Sequence, residues 1–267
     1  MIKGQEKLTN TFQNMTIDEL PHTFMLLGED GCGKHTLSKD IADKFGLAYE
    51  DISTTITSEL IFEIEAIKIP TLYVLNISEL KDQNIILKFI EDYKEFIYVC
   101  VLCDNKNLLL ETIANRCVIY EFERYSKEFL MDSVLYITAR DCDQEIILNI
   151  CTTLGQIQDV VNQDLVGIND LVLKIIHKTQ DANFPNLLTL TNKFNYKDYF
   201  DKYDVNTFFK LMLFNLLELF KKGGNYYSKY MLTQDYYKKL LNDHRLNKEN
   251  LITQYLINFW KLSKGIK

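Results

Sequence analysis

A glycine-rich stretch between an apolar segment and a helical segment carries the clearest chemistry in this sequence. Residues 24–37 read FMLLGEDGCGKHTL and fit the phosphate-loop template G-x-x-x-x-G-K-[ST] at Gly28, Gly33 and Lys34. Glycine lets successive backbone N–H groups approach an anion, the lysine adds positive charge, and the N-terminus of the following helix favours phosphate. The stretch therefore predicts a phosphate cradle; the alternative is a glycine-rich turn that holds no ligand. The candidate binding residues are Gly28, Gly31, Gly33, Lys34, His35 and Thr36.

One position of the template is changed in a way that bears on catalysis. The hydroxyl that reaches Mg²⁺ belongs directly after the lysine, but His35 stands there and Thr36 follows one residue late. Phosphate binding is therefore better supported than hydrolysis.

The segments that must position this loop alternate between strands and helices. Short apolar or extended runs predict strands at 23–27, 47–52, 71–75, 96–102 and 118–122. Apolar residues at helical spacing predict helices at 5–15, 34–45, 57–67, 81–93 and 108–114. Strands that alternate with helices indicate an α/β P-loop domain whose parallel sheet is covered on both faces.

The pattern after Ser126 is helical throughout, with Gly155 as a break between two short helices. The polar stretch 178–183, followed by Phe184-Pro185, is the candidate linker. The sequence therefore predicts three domains: an α/β domain over 1–124, a small helical domain over 125–182, and a C-terminal helical bundle over 183–267.

The amino-acid composition favours a globular protein, and its net charge suggests that any contact with DNA depends on a partner. Apolar residues make up 47% and charged residues 25%, and no run of eighteen apolar residues lacks charge, so we expect a cytoplasmic protein without a membrane segment. The net charge of −7 excludes strong non-specific DNA binding by this chain alone. Any contact with DNA would be local or shared with a partner.

Several residues that invite a metal or nucleic-acid interpretation have simpler explanations. Cys100 and Cys103 have C-x-x-C spacing, but they lie in an apolar run where strand alternation would turn the thiols to opposite faces, which favours buried free thiols over zinc. For His22, packing or a bond to the backbone is at least as expected as a contact with nucleotide. The aromatic residues of 196–220 fit core or subunit contacts better than base stacking. The other histidines are scattered and have no metal-ligand spacing: His35, His177 and His244. A mild basic cluster is expected to be a solvated face: Lys238, Lys239, His244 and Arg245.

With this layout, four further strings resemble one family, the AAA+ subunits of the sliding-clamp loader of DNA polymerases. Lys3-Gly4-Gln5 resembles the family's opening GQ box, and residues 20–26, LPHTFML, resemble the lead-in to its phosphate loop. Residues 84–91, NIILKFIE, resemble the helix "naLLKtLEE", and residues 111–117, ETIANRC, resemble "ptIrSRC". The resemblance covers most of the first domain and fades after about residue 125, where it implies a lid domain and a C-terminal oligomerisation collar.

The resemblance also shows what this chain lacks. In its register, the acidic pair that ends the second catalytic strand falls on Leu75 and Asn76, and the sensor arginine near the lid falls on Gln158. Leu75 cannot hold a cation and Asn76 is a poor base, so we expect no meaningful intrinsic ATPase activity and at most static binding of ATP or ADP, with Mg²⁺ left open. Residues 46–69 stand where many bacterial members carry a four-cysteine zinc module, and they contain no cysteine, so zinc and other metals are not expected.

Arg116 is the residue that the resemblance makes catalytic, because the ETIANRC string corresponds to the segment whose arginine points at a neighbouring subunit's nucleotide. A guanidinium supplied in trans can raise phosphoryl-transfer rates by about 10³ to 10⁵. The alternative is that Arg116 pairs with a local carboxylate such as Glu121 or Glu123. A decayed site with a retained arginine resembles the delta-prime type of subunit, with gamma/tau subunits as relatives.

The resemblance implies a subunit of a hetero-oligomeric ring that loads a sliding clamp onto primed DNA. The first alternative is an active clamp-loader ATPase, in which Thr36 supplies the hydroxyl and Glu79 or Asp104 serves the metal. The second alternative is a helicase-loader-type AAA+ protein, and a small-molecule kinase is more distant because the sequence has no arginine-rich lid.

Overall fold

The computed structural model describes residues 2–80, 82–91, 95–137, 141–181, 204–242 and 247–265. The chain forms two compact units, the first made of Met1–Leu130 with Thr152–Gln156 and the second of Met131–Cys151 with Ile157–Lys267. The division into three domains stays a prediction, and its boundary at 182/183 lies outside the described residues. The predicted linker begins too early, because helical structure continues to Asp181; Phe184-Pro185 lies outside the described residues.

The first unit is built on a parallel sheet of five strands. The strands are β1 (Thr23–Leu27), β2 (Ala48–Asp51), β3 (Thr71–Asn76), β4 (Ile97–Cys103) and β5 (Val118–Glu121). Their order is β2-β3-β4-β1-β5, with Met25 of β1 opposite Val101 of β4 and Ile119 of β5. The predicted α/β fold with a parallel sheet is therefore confirmed.

Strand alternation divides the core of this unit between the two faces of the sheet. Phe24, Leu26 and Cys100 pack in the cluster on one face, and Met25 and Cys103 pack in the cluster on the other. Cys100 and Cys103 thus point to opposite faces, as the alternation predicted, and burial raises the pKa of both thiols. In the described part of the chain no group of three or more His, Cys, Asp or Glu residues is placed to hold a metal ion.

The helices of the first unit follow the predicted order with small changes at their ends. They are α1 (Glu6–Asn14), α2 (Lys34–Phe45), α3 (Ser58–Glu65), α4 (Asn84–Glu91) and α5 (Glu111–Ala114). Gly46 ends α2 in the left-handed conformation, at φ +66°, as its position predicted. The helix predicted over 108–114 is shorter, because the Asn105 side chain accepts from the N–H of Asn107 and caps a separate 3₁₀ turn, Lys106–Leu108.

Beyond β5, the regular elements among the described residues are all helices, as predicted. They are α6 (Lys127–Ile137), α7 (Asp141–Ile150), α8 (Leu154–Val160) and α9 (Leu165–Asp181), then Val205–Lys221, Tyr227–Asn242 and Lys248–Lys264. Within the aromatic stripe predicted over 196–220, Phe208 and Phe209 are core: both are buried and contact each other and Tyr255. Phe220 is exposed, and the aromatic residues at 196–203 lie outside the described residues. None of the helices in the described ranges combines the length and apolar character that a bilayer-spanning segment requires.

The break predicted at Gly155 is misplaced. The chain leaves helical structure at Cys151–Thr153, and Gly155 lies in the first turn of α8. Glycine is used there for close backbone packing rather than to end a helix.

Candidate functional site

The glycine-rich loop lies at the carboxyl edge of the sheet, where β1 stands between β4 and β5. This is the point at which the strand order reverses direction, and ligands of open α/β sheets bind at such points. The N–H of Gly28 donates to the carbonyl of Cys103 at 3.1 Å, and the N–H of Phe122 donates to the carbonyl of Leu27 at 2.7 Å. The loop therefore begins beside the last residue of β4, and the residue that follows β5 bonds to the last residue of β1.

Lys34, the lysine of the phosphate-loop template, is buried and held by the chain itself. Its ammonium donates to the carbonyls of Gly28 at 2.7 Å and Glu29 at 3.1 Å, and pairs with the Asp104 carboxylate at 2.8 Å. An ammonium has three N–H donors, and these contacts match that number. The lysine is therefore satisfied without a phosphate.

Asp104 follows β4 and comes beside Lys34 because β4 and β1 are neighbours in the sheet. Its second carboxylate oxygen accepts from the hydroxyl of Ser78 at 3.0 Å. Glu79, the other carboxylate considered for a metal, accepts from the side-chain amide of Asn76 at 2.9 Å. Both carboxylates thus have partners within the protein.

Leu75 and Asn76 stand at the end of β3, where the resemblance puts the acidic pair. Leu75 is fully buried in the core. The Asn76 side chain accepts from the N–H of Ser78 at 3.1 Å and caps the 3₁₀ turn Ile77–Glu79, while its amide nitrogen donates to Glu79. Asn76 therefore shapes the turn after β3, and Leu75 stabilises the core.

His35 and Thr36 lie in the first turn of α2, and both are exposed. The Nδ1 atom of His35 is 3.7 Å from a carboxylate oxygen of Asp51 at the end of β2, a distance that makes an ion pair when the imidazole is protonated. The other oxygen of Asp51 accepts from the N–H and hydroxyl of Ser53 at 3.1 and 2.5 Å.

A second segment of the chain closes against the loop, and sequence reasoning missed this contact. Gly155 donates its N–H to the carbonyl of Gly31 at 2.9 Å, and a Cβ on Gly155 would lie 2.5 Å from the Gly31 Cα. The Thr153 hydroxyl and the Gln156 amide donate to the carbonyl of Asp30 at 2.8 and 3.2 Å. The glycine at 155 was the available signal, because close backbone approach is a common reason for glycine within a helical turn.

Neighbouring side chains also pack against the other loop glycines. A Cβ on Gly28 would lie 2.7 Å from the Phe122 Cβ, and one on Gly33 would lie 3.1 Å from the Ile2 side chain. The hydroxyl of Tyr125 donates to the carbonyl of Cys32 at 3.0 Å, and burial raises the pKa of the Cys32 thiol to about 11. Glycines in this loop therefore permit tight packing within the protein.

The groups of the loop that could meet a nucleotide already have contacts within the protein or differ from the phosphate-loop template. Lys34 has its donors occupied, and neither His35 nor Leu75 offers the hydroxyl or carboxylate oxygen that Mg²⁺ prefers. A phosphate group would have to displace Asp104 from Lys34 before the lysine could bind it.

Arg116 follows α5 at the surface of the first unit, and its place explains the ETIANRC pattern. Ile113 is fully buried and Cys117 packs against the core, so the backbone is fixed while Arg116 faces outward. Its Nη1 donates to the carbonyl of Thr112 at 2.8 Å and its Nη2 donates to Glu91 at 3.0 Å. The carboxylate partner is Glu91, at the end of α4, rather than Glu121 or Glu123.

The remaining candidates lie apart from the loop or have structural roles. The Nδ1 of His22 is 2.9 Å from the carbonyl of Ile97 and its ring stacks on Tyr98, as expected for packing. Gln158 and His177 are exposed on α8 and α9. Lys238 and Lys239 lie on the helix Tyr227–Asn242, whereas His244 and Arg245 of the basic cluster lie outside the described residues.

Residues 76–126 match the family described as DNA polymerase III, delta subunit. The matched segment contains α4, β4, Asp104 and Arg116, and it lies within an α/β unit whose phosphate loop has been described above. Over residues 76–126 this chain is therefore similar to a DNA polymerase III subunit family. The family match covers the Arg116 segment and leaves out the phosphate loop.

Some solved structures show a weak likeness to this chain. A DNA polymerase III gamma subunit-related protein of Thermotoga maritima is 15% identical, over 98% of this chain and 100% of that one, with a TM-score of 0.49. The RuvB Holliday junction branch migration motor of Thermotoga maritima is 17% identical, with a TM-score of 0.46, and the match covers 65% of this chain and 64% of that one. The chain thus spans less than two thirds of the RuvB chain that it matches. The comparison with curated proteins gave no match.

Proposed function

We propose that this chain is a delta-prime-like clamp-loader subunit. It joins other clamp-loader subunits in a hetero-oligomeric ring in the cytoplasm, helps to load the sliding clamp onto primed DNA, and completes a neighbour's ATP site with Arg116. The observation that carries the proposal is the contrast between the two cationic residues: Arg116 is half-exposed in the family-matched segment, while Lys34 is buried and occupied.

The state of the phosphate loop supports a degenerate ATP site in this subunit. Asp104 neutralises Lys34 at 2.8 Å, and the segment Thr152–Gln156 closes against Gly31. A loop with these internal partners stabilises the fold of the first unit. ATP or ADP would bind there without being hydrolysed, once Asp104 has released Lys34. Arg116, in contrast, uses two of its five N–H donors on described residues, which leaves donors for a phosphate.

The deciding experiment is the DNA-stimulated ATPase rate of the reconstituted clamp loader with Arg116→Ala. We expect ring assembly to be unchanged and the rate to fall by at least about tenfold, because a trans arginine contributes up to about 10³ to 10⁵ to phosphoryl transfer. Arg124→Ala is the matched control, since Arg124 is also an exposed arginine of this unit and pairs with Glu29 at 3.3 Å. An unchanged rate for Arg116→Ala would refute the trans-arginine role.

The alternative of an active ATPase makes a different prediction for the isolated chain. It requires Asp104 or Glu79 to leave its present partner, Lys34 or Asn76 respectively. Turnover of ATP by the purified chain, abolished by Lys34→Ala, would establish that alternative. Purification with a replicative helicase and without clamp-loader subunits would favour the helicase-loader alternative.

A further inference from the structure

The Arg116 side chain is fixed at both terminal nitrogens by groups of its own unit. Nη1 donates to the carbonyl of Thr112, one helical turn earlier, and Nη2 donates to Oε1 of Glu91 at 3.0 Å. Glu91 is the last residue of α4, whose Ile86 and Phe89 are buried in the core, so its backbone position is set by packing. The carboxylate therefore stands at a defined place beside the guanidinium.

We propose that Glu91 is a positioning residue for Arg116. It holds the guanidinium in one orientation, so that the free edge faces outward and is ready for an anionic group of a neighbouring subunit. This inference rests on the proposed trans role of Arg116 and deepens it by naming the residue that orients the arginine.

The exposure of the pair decides what kind of effect to expect. The side chains of Arg116 and Glu91 are 40% and 48% exposed, and exposed ion pairs contribute little to stability. Glu91 is therefore a poor stabiliser of the fold. An arginine side chain has several rotatable bonds, however, and fixing it costs conformational entropy. If Glu91 already holds Arg116 in one rotamer, this entropy is not lost when the transition state forms.

The carboxylate also leaves room for a second anion. Two of the five guanidinium N–H donors are used by Thr112 and Glu91 among the described residues. A planar guanidinium can bind anions along more than one edge, so a phosphate can approach the remaining donors while Glu91 keeps its hydrogen bond.

The test is a double-mutant cycle in the reconstituted clamp loader, read as kcat and KM of DNA-stimulated ATP hydrolysis. Glu91→Ala should lower kcat by roughly two- to fivefold with KM unchanged, the effect expected for losing an exposed charged hydrogen bond that acts in the transition state. Glu91→Gln keeps an acceptor for Nη2 and should retain most of kcat. In the Arg116→Ala background, Glu91→Ala should have no further effect. Glu63→Ala, an exposed glutamate on α3, is the matched control.

Several results would overturn the inference. Equal losses from Glu91→Ala with and without Arg116 would show that Glu91 acts elsewhere, and a faster rate in Glu91→Ala would show that it restrains the arginine. If Arg116→Ala itself leaves the rate unchanged, the proposed function fails. In that case the NMR order parameter of the Arg116 Nε–H in the isolated chain still tests the positioning: it should fall in Glu91→Ala, and an unchanged value refutes it.

Discussion

The contact between Lys34 and Asp104 makes a sharp prediction about nucleotide binding. Replacing Asp104 with asparagine removes the negative charge that lies 2.8 Å from the lysine ammonium but keeps a side chain of the same size. The lysine would then be free to bind an external anion. We therefore expect Asp104→Asn to raise the affinity of the isolated chain for ATP and ADP.

The geometry of the pair gives the scale of the effect. Two unit charges at this distance attract by about 6 kcal/mol at an effective dielectric constant of about 20. Desolvation of the buried lysine and the replacement hydrogen bond offset most of this, and hydrogen bonds to charged groups have net values of about 1.5–3 kcal/mol. This range corresponds to a gain in nucleotide affinity of roughly 10- to 100-fold. The same loss should lower the free energy of unfolding by about 1–3 kcal/mol.

Titration with a fluorescent ATP analogue, without and with Mg²⁺, measures the change. Asp104→Asn with Lys34→Ala should lose the gain, because the freed lysine is its source. Asp18→Asn, which removes an exposed carboxylate of the same unit, is the control for net charge. A gain in affinity that survives Lys34→Ala, or no gain in Asp104→Asn, would refute the argument that Asp104 occupies the lysine.

Three further predictions concern stability. Gly155→Ala puts a Cβ 2.5 Å from the Gly31 Cα, so its free energy of unfolding in urea should fall by about 1–3 kcal/mol, whereas an unchanged value would show that the contact with the loop is loose. Lys44→Met removes an ammonium that donates to the carbonyls of Phe12, Gln13 and Met15 at the end of α1, and thermal unfolding should show a loss of about 1–2 kcal/mol that the exposed Lys68→Met does not. Burial raises the pKa of the Cys32 thiol from 9.0 to about 11, so above pH 9 the unfolded chain loses this proton first. The free energy of unfolding should therefore fall between pH 9 and 11, by about 3 kcal/mol at most, and Cys32→Ala should weaken that dependence.

Local signals were sufficient to predict several strands and helices of the first unit. The strand Thr23–Leu27 and the helix Lys34–Phe45 have the predicted bounds, because an apolar run, two loop glycines and Gly46 mark their ends in the sequence itself. Strand alternation also predicted the opposite directions of Cys100 and Cys103. Such properties depend on neighbours in the chain, and these are visible in one sequence.

Partners that are distant in the chain decided the chemistry of the site. A lysine directly after Gly33 predicted a phosphate cradle at Lys34. Its partner Asp104 could not be predicted in this way, because Asp104 lies beside Lys34 only through the pairing of β4 with β1. Likewise, the residues around Arg116 in the sequence were enough to identify it as a candidate. Its contact with Glu91, and the contact of Gly155 with Gly31, depend on how the elements pack. The sequence by itself determined which residues carry charge and where strands and helices run. Only the tertiary structure decided which charges meet, because strand order and helix packing, rather than distance along the chain, set those contacts.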